Sequence, residues 1–295
     1  MAFFAVAAVA VAAATTGPLY LTAADQSIVT SGLASVPANQ TGVTITQSPS
    51  SQQGLGGVLA AASTVPGGSG TGAAQRFGPA IVTTDLASSV YSPVAGRPDG
   101  IEFVYRTGAC GEVRMVAGHC PTTSDEVALS VRSAAQLRVK VGSLFEPTPS
   151  GRPGRSGADG TRAASYRLRV SGLYQPGNPA AAIWWGTDYF PFGFPFGPPN
   201  SGAEALDDGW LTAPGAARLS AVLVPTSWVQ LPLHVSSITP TDITPVLNSL
   251  ASWEATAEAT DGVVVGSSLS GVLSAAQGEE GSARTVVLVV ALQLA

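Results

Sequence analysis

The chain has 295 residues, 45% of them apolar and only 11% charged, against about 25% charged in an average soluble domain. A net charge of -5 excludes the basic footprint that nucleic acid requires. Two histidines and two cysteines leave few ligands for a transition metal, which disfavours a zinc or iron enzyme, and nothing calls for a cofactor.

The charges are confined to the middle of the chain. The first of either sign is Asp25, the first basic one Arg76 and the last Arg284. Residues 2–14 read AFFAVAAVAVAAA, and counting on to Leu21 reaches the length of a membrane helix, with Tyr20 suited to the interface. A signal peptide cut near Ala12-Ala13-Ala14 is the rival reading, although no Lys or Arg precedes the apolar run. The simplest expectation is that Met1 lies within a helix whose cytoplasmic start is missing. At the other end, TVVLVVALQLA after Arg284 lacks the alternation of a half-buried strand and reads as the first half of a second membrane helix, a buried last strand being the alternative. The chain is thus expected to be a fragment of a larger membrane protein.

Ile28, Val29, Leu33 and Val36 recur at helical spacing, extending the first helix as a stalk until Pro37. Asn39-Gln40-Thr41 matches a glycosylation sequon, a pattern common by chance. GVTIT at 42–46 alternates like a strand, Leu55, Val58 and Leu59 mark a short helix, and GGSGTG at 67–72 is a flexible loop without the Lys of a phosphate-binding loop. Ala80–Thr84 and Ile101–Arg106 read as strands, with GRPDG at 96–100 as their turn. EVALS at 126–130 is a strand; Ser130 caps a helix with Val131, Ala134, Ala135 and Leu137 inward; VKVGSLFE returns as strand. PTPSGRPGRSGADGTRA at 147–163 is an exposed loop. In YRLRVSGLY at 166–174, Tyr166, Leu168 and Val170 face one way and Arg167 and Arg169 the other. Ala221–Val224 and Val229–Val235 read as strands. A helix starting at Thr241 or Asp242 runs through Trp253 with Ile243, Val246, Leu247 and Leu250 on one face, and residues 262–277 give a strand and a short helix. The mixture is α+β rather than a doubly wound sheet.

Few residues offer chemistry. Cys110 and Cys120, in TGACGEVRMVAGHCP, read as a disulfide if the region lies outside the cytoplasm; metal or redox use would need ligands beyond the neighbouring His119. GxSxG, HExxH and CxxC are all absent. The adjacent pairs Asp207-Asp208 and Glu279-Glu280 place their carboxylates on opposite sides and are expected to be solvated. His119 and His234 are the sole histidines available as a hydrolase base. The segment at 183–199 concentrates Trp184, Trp185, Tyr189, Phe190, Phe192, Phe194 and Phe196 among Pro and Gly that forbid a regular helix. Its rings either pack on their own domain or contact a partner, an apolar ligand or the outer leaflet.

AGHCPTTSDEVALSVRSAAQLRVKVGSLFEP, followed by YRLRVSGLYQPGNP, resembles the extracytoplasmic domain of ABC transporter permeases of the FtsX/MacB type, in the Ala- and Gly-rich style of actinobacterial versions. The residues that carry the likeness are Gly118-His119-Cys120-Pro121, the Glu126–Ser130 strand, the Val141-Gly142 turn and Val170–Tyr174. The opening AAATTGPLYLTAADQS and Asp207–Pro214 fit as well. Arg138 stands where the family often has Gly, and Ser143 where Asp is common. The resemblance implies a two-lobed MacB-like domain on a membrane-helix stalk. It would divide the chain into a partial first membrane helix and stalk (1–36), the extracytoplasmic domain (37–283, inner lobe about 108–235) and the start of a second membrane helix (284–295). It further implies no enzymatic activity of its own, a cytoplasmic ATP-binding subunit or domain as partner, a dimer of permeases, and transmission of ATP-driven motion for export or envelope control. A membrane-anchored or secreted binding module is the alternative.

Overall fold

The computed structural model describes residues 25–47, 54–65, 76–149, 166–197, 202–258 and 263–293, together with residue 23. The apolar run at 2–21, the GGSGTG stretch and most of the 147–163 segment lie outside the described residues. The chain divides into two compact units, one formed by residues 1–45, 60–80 and 231–295, the other by 46–59 and 81–230. The architecture is α+β.

In the first unit, helix α1 (25–35) buries Val29 and Leu33, the spacing expected of a one-sided helix. Strand β1 (Gly42–Gln47) follows, then helix α2 (Gly54–Ser63), whose last residues belong to this unit. Gln26 at the start of α1 donates to the Ile238 carbonyl at 2.8 Å, and Arg76 pairs with Asp242 at 3.1 Å. Thr239 and Asp242 form a reciprocal capping box ahead of helix α6 (Ile243–Glu258), so the start signal lies two residues earlier than Thr241. Ile243, Val246, Leu250 and Trp253 are its buried face. Strand β11 (Val263–Ser267) precedes helix α7 (Leu269–Gln293), which is one continuous helix where the sequence reads as a short helix followed by a separate membrane segment. Glu279-Glu280 fall within α7. Among the described residues, no helix is long and apolar enough to cross a membrane.

The second unit is organised by a mixed sheet in the order β10-β2-β3-β9-β5-β8-β4. Its strands are β2 (Ile81–Ser92), β3 (Arg97–Arg106), β4 (Arg114–Gly118), β5 (Glu126–Ser130), β8 (Leu168–Gln175), β9 (Gly209–Trp210) and β10 (Pro225–Pro232). The two-residue strands β6 (Leu144–Phe145) and β7 (Thr148–Pro149) add to β8 and β2. The short helices are α3 (Ala109–Glu112), α4 (Val131–Leu137) and α5 (Ala213–Leu219).

Four sequence expectations are corrected. The β2–β3 turn spans 93–96 with Gly96 at φ 68°, and Pro98, Asp99 and Gly100 lie within β3; Asp99 is fully buried and accepts hydrogen bonds from Gln136 and the Glu204 amide. VKVGSLFE is mostly a turn, because Gly142 sits at φ 88° and only Leu144–Phe145 pair. Ala221–Val224 is the turn leaving α5, and β10 begins at Pro225. On α4 the buried residues are Ser133, Ala134 and Leu137, whereas Val131 and Ala135 face outward.

The sheet has two unlike faces because alternate residues of each strand point opposite ways. Leu86, Phe103, Leu129, Leu168 and Val170 form an apolar core with Ala134 and Leu137 of α4 and Ala216 and Leu219 of α5. The opposite face buries Val104, Ala128, Tyr174 and Trp210 beneath the segment 181–190. The Ser130 side chain accepts from the Ser133 amide, capping α4 as the sequence indicates.

Arg138 ends α4 in the left-handed conformation, at φ 53° and ψ 39°. A Cβ is disfavoured there, so glycine is the residue that fits this position with least strain. Arg138→Gly is therefore expected to raise the unfolding free energy by about 0.5–1 kcal/mol, read from the urea midpoint. Ser143 accepts from the Lys140 amide at 3.0 Å, a bond an aspartate could equally accept.

Candidate functional site

Three features converge on the second unit's sheet: a closed disulfide loop, an aromatic roof and a set of buried carboxylates. Cys110 and Cys120 are bonded, with Cα atoms 6.2 Å apart. Gly118 (φ 66°) brings the loop back onto β8, where a Cβ would run into the Ser171 carbonyl. His119 stays at the surface with Nδ1 2.8 Å from the Cys120 carbonyl oxygen, and His234 belongs to the other unit and is exposed.

The aromatic segment divides by burial. Trp184 is fully buried, stacks on Trp210 at 5.6 Å and donates through Nε1 to the Asn178 carbonyl at 2.8 Å. Tyr189 and Phe190 close around the same indole at 5.5 and 5.4 Å, and Trp185 is buried as well. Phe192 is half-buried beneath the Arg132 guanidinium, 5.1 Å from its ring centre. Phe194 is 61% exposed, while Phe196 lies across Gly100, where no Cβ could fit.

Asp207 and Asp208 are 0% and 1% exposed, which corrects the expectation that they are solvated. They do point to opposite sides. Asp207 receives Arg132 in bidentate fashion, at 2.6 Å from Nε and 2.7 Å from Nη2, and its amide donates to the Ser133 hydroxyl at 2.9 Å. Asp208 lies toward the aromatic face, where its backbone carbonyl accepts from the Tyr174 hydroxyl at 2.6 Å. Its Oδ2 is buried without a hydrogen-bond partner. Burial, reinforced by Glu102, Asp85, Asp207 and Asp188, holds its carboxyl well above the ordinary range.

The same face carries Asp85 and Glu102, because Asp85 sits opposite Val104 and Ala87 opposite Glu102. Burial first, and then Glu102, push Asp85 up to about 8, so Asp85 keeps its proton at neutral pH. Arg106 is buried beside them. It donates to Thr83 Oγ1 at 2.6 Å, to the Tyr189 hydroxyl at 3.3 Å and to the Ile183 carbonyl, and burial lowers its affinity for the proton. Neither Asp85 nor Glu102 stands out in the sequence. Asp85 and Glu102 meet only through strand register, and no local spacing encodes that.

Asp85 sets a pH dependence whose sign is fixed. Its folded value is raised, so between the unfolded value near 4 and about 8 the native state holds a proton that the unfolded chain has released. Stability from this group is complete below that window and is lost as pH rises through it. Asp85→Asn is expected to flatten the decline in unfolding free energy between those pH values and to raise stability at the alkaline end, measured by urea titration across pH.

The fold and site together define a disulfide-bonded α+β unit with an acidic, aromatic-roofed sheet face. No family model matches the chain, and no curated protein does. Among solved structures, the periplasmic region of MacB from Actinobacillus actinomycetemcomitans is similar at a TM-score of 0.38 and 9% identity, over 78% of this chain and 90% of that one.

Proposed function

We propose that this chain is the extracytoplasmic domain of a membrane permease subunit of an ABC transporter of the FtsX/MacB type. In this reading it works without enzymatic chemistry and transmits ATP-driven motion from a cytoplasmic ATP-binding subunit, as one of a pair of permeases, for export or envelope control. The observation that carries the reading is the Cys110–Cys120 disulfide, which closes the Gly-His-Cys-Pro turn within the sequence that resembles those permeases. Such bonds persist in oxidising compartments. The apolar sequence at both ends supports a membrane setting.

The test is purification of an epitope-tagged chromosomal copy from detergent-solubilised native membranes. The reading expects the protein in the membrane fraction with an ATP-binding cassette subunit in stoichiometric amount. Recovery from the soluble fraction without an ATPase would overturn it in favour of an extracytoplasmic binding module.

A further inference from the structure

A cavity of about 250 Å³ opens in the second unit beside Phe194 and Phe196. Its lining includes three acidic residues, Glu102, Asp188 and Asp208, and no basic one. Asp208 is 1% exposed, and its Oδ2 has no hydrogen-bond partner. A buried oxygen left in that state is costly to the fold unless something else uses it. The rest of the wall is apolar, with Pro191, Pro195 and the two phenylalanine rings. Carboxylates combined with ring faces suit an organic cation, which gains a charge-assisted hydrogen bond and a cation–π contact together. A metal ion fits less well, since among the described residues no three His, Cys, Asp or Glu side chains group closely enough to hold one. The volume admits a few methylenes ending in one polar head and is below that of ordinary drug-sized sites.

We propose that this cavity binds the ammonium end of an alkylamine, supplied by a free diamine or a lysine side chain, with Asp208 and Glu102 as counter-charges and Phe194 and Phe196 as ring faces. The inference does not rest on the transporter reading.

The groups around Asp208 make binding proton-linked. Glu102, Asp85, Asp207 and Asp188 all act on it, and the phenols of Tyr174 and Tyr189 lie in the same cluster. Asp207 is already neutralised by Arg132, and the Arg106 donors are engaged by Thr83, Tyr189 and Ile183. With no cation left to face it, burial and its acidic neighbours hold the Asp208 carboxyl well above the ordinary range, toward its neutral form. An arriving ammonium keeps its charge, Asp208 ionises against it, and the displaced proton passes to solvent.

The experiment is isothermal titration of the full chain with cadaverine at neutral pH, in phosphate and in Tris buffer, with pentanediol as the uncharged isostere. The expected result is saturable binding of the diamine but not the diol, with a heat that differs between buffers by the ionisation of the released proton. Phe194→Ala, at an exposed ring, is expected to weaken binding about threefold. Asp208→Asn is expected to weaken it about tenfold and to abolish the buffer dependence. Tighter binding of N-acetyl-lysine amide than of cadaverine assigns the ligand to a partner's lysine, and the reverse order to a free diamine. Equal binding of pentanediol, no heat with millimolar diamine, or an unchanged affinity in Phe194→Ala overturns the proposal, and the diol comparison and Phe194→Ala decide it even if Asp208→Asn fails to fold.

Discussion

Replacing Arg132 with alanine is expected to lower the unfolding free energy by about 3 kcal/mol, one of the largest single-residue effects in the second unit. The reason is the asymmetry of the pair. The Arg132 side chain is 43% exposed and loses little by leaving, whereas Asp207 is 0% exposed and would be left buried without its bidentate partner. What remains for Asp207 is the Phe192 amide at 3.3 Å, a weak substitute for a bidentate guanidinium. Arg132 also donates to the Phe190 carbonyl at 3.2 Å, so its loss detaches α4 from the aromatic segment as well. Adding Asp207→Asn to Arg132→Ala should recover part of the loss, because no buried carboxylate is then left without its partner. A double-mutant cycle in urea checks both statements, and independent, additive effects would refute the assigned coupling.

Removing the disulfide is expected to have an effect of similar size. With the two cysteines 10 positions apart, loop closure in the unfolded chain accounts for roughly 3 kcal/mol in the entropic model. Changing Cys110 and Cys120 to Ser together should lower the urea midpoint accordingly, and dithiothreitol should reproduce that midpoint in the native sequence while leaving the double variant unaffected. The loss should fall on β4 and β8, which Met115 and Tyr174 register against each other. Hydrogen exchange at those strands would report it.

The sequence made legible what local rules control. Ser130 caps α4 because a hydroxyl before a helix answers an unpaired amide three residues on. Leu168 and Val170 alternate with Arg167 and Arg169 because a strand with one buried face requires it. The strands expected at 229–235 and from 262 correspond to β10 and β11, although β10 ends at Pro232. The disulfide was within reach because two cysteines in a Gly-rich loop have few other uses outside the cytoplasm.

Elsewhere, local signals pointed the wrong way. VKVGSLFE has the composition of a strand, but Gly142 in the left-handed region turns the chain before pairing can begin. Pro98 and Gly100 look like a turn yet lie within β3, since Gly100 leaves room for the Phe196 ring. Asp207-Asp208 reads as a solvated pair because charged residues usually are exposed. Its burial depends on Arg132 and on the pairing of this segment with β3, partners that lie far off in the chain. The candidate site is therefore only partly legible: its aromatic residues and the Asp207-Asp208 pair stand out in the sequence, whereas Asp85 and Glu102, brought together by strand register, do not.

The most direct test of the proposed role is the state and side of the two cysteines in intact cells expressing the chain. A membrane-impermeant maleimide is applied before and after an impermeant reductant. The proposal predicts no labelling before reduction and labelling of both Cys110 and Cys120 after it, with the cells still closed. Two free thiols, or labelling that appears only once the cells are opened, would contradict an extracytoplasmic domain.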